Sequence, residues 1–137
     1  MKRRMPKGLK IAVIAAVCLV LAAAGAYEGL VILADNTQAA YAKIGPVDLS
    51  VLEDGVYNGK AGGYICSMDL DVTVKDHCIT DIHVNRQVNG GGKYRAPGMT
   101  DRIVKEQSVE VDTVSGATLT SKTILIAVHG ALTGGLK

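Results

Sequence analysis

The chain has 137 residues, 48% of them hydrophobic, a formal net charge of +2 and three cysteines. That length accommodates one domain plus accessory segments. Five of its basic residues (Lys2, Arg3, Arg4, Lys7 and Lys10) crowd into residues 1–10, so ten basic and twelve acidic residues remain from Asp35 onward. A domain with that mildly acidic balance lacks the basic surface that nucleic-acid binding demands, which excludes that class of partner.

Residues 11–27 carry no charge, and beyond Glu28 the apolar run resumes as Gly29-Leu30-Val31-Ile32-Leu33-Ala34. A stretch of roughly 20 apolar residues crosses a bilayer. Residues 11–34 are therefore read as a transmembrane anchor behind a cytoplasmic basic segment, 1–10, which places the remainder outside the cytoplasm. A cleaved signal peptide is the rival reading, since Ala24-Gly25-Ala26 offers small residues at a suitable cleavage point. The apolar residues beyond Ala26 favour the uncleaved anchor. Cys18, within this run, behaves as a small apolar residue.

Residues 35–51 read as a spacer, small and polar with a single proline, Pro46. At Asp54-Gly55 the chain turns into a first strand. Residues 64–75 then alternate strictly: Tyr64, Cys66, Met68, Leu70, Val72 and Val74 share one face, and Ile65, Ser67, Asp69, Asp71, Thr73 and Lys75 the other. A period of two is the signature of a half-buried strand. Asp76-His77-Cys78 forms a turn and residues 79–84 begin the return strand. Matching apolar faces sets Val74 opposite Thr80, Val72 opposite Ile82 and Leu70 opposite Val84, with Cys66 across from Val88. Cys66 and Cys78 are then separated by roughly 30 Å of strand. A bridge needs Cα atoms within about 7 Å, so no disulfide is expected.

The segment VNGGGKYRAPGMTDR holds four glycines and Pro97 and reads as a loop. Thr100 is placed to cap a short helix carrying Ile103, Val104 and Gln107, and Val109 and Val111 look extended. Leu125, Val128, Ala131 and Leu132 recur at helical spacing, with Gly134-Gly135 as the stop. Strands first and helices interspersed late indicate an α+β fold, a small antiparallel sheet with packed helices. His77, His83 and His129 lack ligand-like spacing, so no metal site is expected.

Between the extended segment and the last helix lies VDTVSGATLTSK, with five side-chain hydroxyls and one glycine in twelve residues. The plain reading makes Ser115 a helix N-cap with solvated neighbours. The sharper reading uses the unpaired N–H groups and partial positive charge of a helix N-terminus, which suit a phosphate. Gly116 would let the backbone approach it. A threonine hydroxyl beside that phosphate would either hydrogen-bond to it or be esterified by it.

Asp112-Thr113-Val114-Ser115-Gly116-Ala117-Thr118-Leu119-Thr120 resembles the flavinylation motif of FMN-binding domains. Such domains occur in the G subunit of Rnf complexes and the C subunit of sodium-pumping NADH:quinone reductases. The resemblance takes in DGVYNGKAGGY and the strand, turn, strand and glycine-rich loop that follow, about residues 52–132. It departs at Asp76-His77-Cys78, where Asp-Gly is expected and slight backbone strain follows.

The resemblance implies FMN as cofactor. A flavin transferase would join it through its phosphate to Thr118, and Asp112 would serve recognition by that enzyme. Ser115, Gly116 and Thr120, with Ala117 and Leu119 between them, would surround the phosphate. Gly90, Gly91, Gly92, Lys93, Tyr94 and Met99 would border the flavin ring, with Tyr94 or Met99 stacking on it. Residues 52–137 would then be an extracytoplasmic FMN-binding domain that carries electrons between membrane or extracytoplasmic redox proteins. A small flavin-dependent reductase and a non-covalent FMN-binding or sensor module are the alternatives.

Overall fold

The computed structural model describes residues 6–63, 66–89 and 91–134. Tyr64, Ile65, Gly90 and Gly135, and the basic residues before Pro6, lie outside the described residues, as does the Lys93 side chain. The chain forms two compact units, residues 1–35 and 36–137.

Helix α1 spans Lys7–Tyr41, and its segment Gly8–Gly29 is long and apolar enough to cross a membrane. None of that segment is buried within the protein, and Ile11, Ile14, Leu19, Val20 and Leu21 are all exposed. A helix apolar on every side must bury itself against something other than water. The stretch read as a spacer is helical through Tyr41, and Tyr41, Ile44, Val47 and Leu49 pack against the core of the second unit.

The second unit is α+β. Strands β1 (Gly55–Gly62), β2 (Ser67–Lys75) and β3 (Cys78–Val88) form an antiparallel sheet in the order β1-β2-β3. The alternation of β2 is fully expressed: Met68, Leu70, Val72 and Val74 are at most 2% exposed, and Cys66 just ahead of the strand is buried too. Two helices cover that face, α2 (Met99–Glu106) against β3 and α3 (Thr118–Gly134) across β1 and β2. Leu125, Ala127, Val128 and Ala131 of α3 are fully buried, alongside Met99 and Ile103 of α2. Each large apolar side chain so buried contributes about 1.5–3 kcal/mol. Gly59 of β1 sets the spacing, because a Cβ there would lie 2.0 Å from the Ala127 carbonyl oxygen.

The β2–β3 register confirms Leu70 opposite Val84 and Val72 opposite Ile82. It differs at the third pair. Val74 faces Ile79, because β3 carries an extra residue, Thr80, whose hydroxyl donates to the Thr73 carbonyl. A second irregularity at Asn85 shifts the far end, so Val88 faces Ser67 rather than Cys66. Bulges of this kind keep apolar side chains on one face where a strict two-residue period would turn them out. Cys66 and Cys78 therefore sit at opposite ends of the hairpin, both as free thiols.

The hairpin turn is two residues, Asp76 and His77, at φ 51° and 60°. Paired positive φ angles define the turn that matches strand twist, and non-glycine residues adopt them only with support. Asp54 accepts from the Asp76 N–H at 2.8 Å, and His77 Nδ1–H donates to the Leu52 carbonyl at 3.1 Å.

One local reading is corrected. Thr100 does not cap α2: it lies inside the helix, and Gly98, in the left-handed region, precedes the first turn. Gln107 is the C-cap, and its side-chain amide exchanges two hydrogen bonds with the Ile79 backbone, fastening α2 to β3. Val109 and Val111 are buried but join no strand. On the open face of the sheet, Asn58 donates to both Asp69 (2.9 Å) and Asp71 (2.7 Å). Those bonds hold both carboxyls below the usual carboxylate range, with further help from Lys60 at Asp69 and from Asn85 at Asp71.

Candidate functional site

The hydroxyl-rich segment enters α3 through a tight turn. The Ala117 N–H donates to the Val114 carbonyl at 3.0 Å, which closes a turn around Ser115 and Gly116, with Gly116 at φ 78°. Positive φ at the third turn position is the conformation glycine supplies. Ser115 is therefore a turn residue and not the N-cap. The Ala117 carbonyl receives the first helical bond, from the Ser121 N–H at 2.9 Å. The N–H groups of Thr118, Leu119 and Thr120 stand ahead of the helical ladder, where they contribute the partial positive charge of a helix start. No acidic side chain occupies that first turn to compete with an anion.

Ser121 ties turn and helix together. Its hydroxyl donates to the Ala117 carbonyl at 2.9 Å and accepts from the Val114 N–H at 3.0 Å. Thr123 is also turned inward, donating to the Leu119 carbonyl, and the Cys66 thiol donates to Thr123 (3.5 Å) and more distantly to Thr120 (3.8 Å). Thr120, Ser121 and Thr123 are thus structural hydroxyls, each at most 3% exposed. Thr118, the first residue of α3, is exposed.

A cavity of about 310 Å³ opens beside it, lined by Cys66, Asn89, Tyr94 and the run Gly116 to Thr120. Among the described residues Thr118 is the lining threonine or serine whose side chain is exposed, since Thr120 is buried. Gly116, Ala117, Thr118, Leu119, Thr120 and Tyr94 are thus brought to one place. Asp112 and Ser115 are exposed but do not line the cavity; the Asp112 carbonyl accepts from Arg102 Nη1 at 2.6 Å. Gly91 and Gly92 lie in the loop outside the lining, and Met99 is fully buried in the core, with no surface to offer a ring.

Two lining residues were missed from sequence. Cys66 was visible only as one position in an alternating strand; its approach to α3 depends on how the sheet packs on that helix. Asn89 precedes the glycine run and looked like loop. Its Nδ2 is buried with no hydrogen-bond partner among the described residues.

These features suit FMN. The flavin has a flat apolar ring with carbonyl acceptors on one edge, and an anionic phosphate. The cavity supplies the Ala117, Leu119 and Tyr94 surfaces and a buried amide donor. Helix amides stand at the Thr118 end, where a phosphate is favoured.

A family model described as FMN-binding domain matches residues 63–133, just over half of the chain. An uncharacterized protein of Treponema pallidum (strain Nichols) is 33% identical over 99 residues, which are 71% of this chain and 27% of that protein. The chain thus spans about a quarter of the length of that relative. With the helix-start cavity and the family match in agreement, this chain belongs to the FMN-binding domain family and is a flavin-binding protein.

Proposed function

We propose that the protein is a membrane-anchored extracytoplasmic flavoprotein that carries FMN covalently on Thr118 and shuttles electrons between redox partners. The observation that carries this reading is the segregation of hydroxyls: Thr118 is exposed on the cavity and at the helix start, whereas Thr120, Ser121 and Thr123 are buried.

Attachment is a phosphoryl-group transfer from FAD catalysed by a separate flavin transferase. The Thr118 oxygen bonds to the phosphorus of the FMN half, the pyrophosphate P–O bond breaks, the hydroxyl proton is released and adenosine monophosphate leaves. The amides of Thr118, Leu119 and Thr120 and the turn at Gly116 would hold the phosphodiester, and Tyr94, which lines the cavity, would border the ring. When bound, the flavin supplies the redox chemistry; the protein supplies attachment, orientation and exclusion of water. A tether through the phosphate leaves one edge of the ring open to partners and prevents loss of cofactor outside the cell. Anchoring with the N-terminus inside is supported by the basic residues ahead of an apolar helix whose segment Gly8–Gly29 is long enough to cross a membrane.

The test is denaturing electrophoresis under ultraviolet light, after co-expression with a flavin transferase. Wild type and Thr120→Val show a fluorescent band, and Thr118→Val is dark. A dark wild type, or a band that survives Thr118→Val, overturns the ester at this residue.

A further inference from the structure

The cavity beside Thr118 has at its wall a polar atom with no partner among the described residues. Asn89 follows directly on β3, and its Nδ2 is buried at the wall with no acceptor among the described residues. Buried polar groups are nearly always hydrogen-bonded, and an amide withdrawn from water without a partner is destabilising. Such an atom is retained where a ligand brings the missing acceptor.

The rest of the wall narrows what that acceptor is. Among the described residues no lysine or arginine lines the cavity, so the lining they form is not built for a phosphate. The anionic group belongs at the helix start, by Thr118. The other lining surfaces are the Ala117 and Leu119 side chains, the Tyr94 ring and the Cys66 thiol, whose hydrogen is already directed to Thr123 and Thr120. A neutral, flat, largely apolar group with an edge carbonyl matches both the shape and the orphaned donor.

We infer that Asn89 is the residue that reads the flavin ring: its Nδ2 donates to a carbonyl oxygen at the pyrimidine end of the isoalloxazine, with the ring lodged against Cys66. This rests on the FMN reading above, and it adds a residue and an orientation that the acceptor motif does not specify. It also has a thermodynamic consequence. Uptake of two electrons and one proton leaves a negative charge delocalised over the pyrimidine end. A donor aimed at that end favours the reduced ring, since hydrogen bonds to charged groups are stronger than neutral ones. Asn89 is thus a tuning and positioning residue, placed to raise the flavin potential.

The experiment uses the full chain, co-expressed with a flavin transferase, in a Cys18→Ser, Cys78→Ser background that leaves Cys66 as its remaining thiol. Two readouts are taken besides in-gel fluorescence: the midpoint potential by dithionite titration, and the alkylation rate of Cys66 by a maleimide. Asn89→Leu and the near-isosteric Asn89→Asp are compared with wild type. Both variants are expected to keep the fluorescent band. Their reduction equilibrium falls roughly tenfold, the size of one charge-assisted hydrogen bond, and further for aspartate, which repels the carbonyl. Cys66 reacts in the unloaded Thr118→Val protein and is shielded in the loaded one.

Loaded variants with an unchanged potential overturn the assignment of Asn89. Equal Cys66 reactivity with and without flavin overturns the placement of the ring. A dark wild type whose Cys66 is shielded by added FMN refutes the ester and retains the pocket, so the two readings fail separately.

Discussion

Replacing Ser121 with alanine deletes one oxygen atom and two hydrogen bonds from the segment that presents Thr118. The losses are unequal. The Ala117 carbonyl keeps the Ser121 backbone N–H at 2.9 Å, so it stays paired. The Val114 N–H, part-buried, has the Ser121 hydroxyl as its acceptor at 3.0 Å and is left without it. An unpaired buried donor costs about 1–3 kcal/mol, and partial access to water places this one in the lower half. Ser121 itself is fully buried, so no water can take the place of the lost oxygen without rearrangement. The expected loss is about 1–2 kcal/mol. In urea this lowers the unfolding midpoint by roughly 0.5–1 M, taking a slope of about 2 kcal/mol/M for a small domain. Thr133→Ala is the control: its exposed hydroxyl donates to a helix carbonyl, His129, and its removal leaves no buried group unpaired. Flavin attachment, followed as in-gel fluorescence against time, slows in Ser121→Ala because the turn carrying Ser115 and Gly116 is no longer fastened to the helix. If Ser121→Ala matches Thr133→Ala in both midpoint and attachment rate, the proposed role of this hydroxyl is refuted.

Further substitutions probe the rest of the frame. Gly116→Ala places a side chain at φ 78° in open space, so the cost is conformational, about 1–2 kcal/mol, and flavin attachment should fall with it on the same gel. Gly59→Ala drives a Cβ to 2.0 Å from the Ala127 carbonyl; overpacking of that severity costs about 3 kcal/mol or more and should lower the circular-dichroism melting temperature by about 10 °C or more. Asp69 and Asp71 have lowered folded-state pKa values, chiefly through Asn58, so their stabilisation is present above the ordinary carboxylate range and is lost as pH falls through the folded values. Asn58→Leu should raise both values in carboxyl-detected NMR titrations and shrink the stability difference between neutral and acidic pH.

The sequence was most informative where a single periodicity dominates. Residues 66–74 alternate so regularly that strand, buried face and two of the four register pairs followed directly, and the apolar spacing of Leu125, Val128, Ala131 and Leu132 marked α3. The register failed at Thr80 and Asn85 because a bulge is a compromise between two strands and a helix, and neither strand shows it alone. The caps failed for a related reason. Thr100 and Ser115 are good capping residues by type, but Gly98 and the Ser115–Gly116 turn set where each helix begins. At the site, the segment that enters α3 was visible as a dense run of hydroxyls. Cys66 and Asn89 were not, since they reach the cavity only through sheet packing. Met99 was placed beside the ring on loop proximity, yet it fills the core at 0% exposure.

What separates Thr118 from the other hydroxyls is its place along the helix rather than its chemistry. From its first residue α3 presents a less buried stripe, Thr118, Lys122 and Ile126, at steps of four, while Thr120, Ser121 and Thr123 face inward. Exposure alone does not make an acceptor, because every residue on that stripe has some of it. Lys122, one turn later, is held by Gln38 and lies 5.0 Å from the centre of the Tyr41 ring, and the backbone N–H groups at that level are inside the helical ladder. At Thr118 the same outward direction coincides with three amides ahead of the ladder, a glycine that bends the approaching chain, and a cavity wall. An ester phosphate placed there meets donors already pointing at it, and one placed a turn further on would have to be solvated by water. Under the proposed ester, the helix start is what distinguishes this hydroxyl, and the buried serine three residues on, bonded back to the turn, holds that start in place.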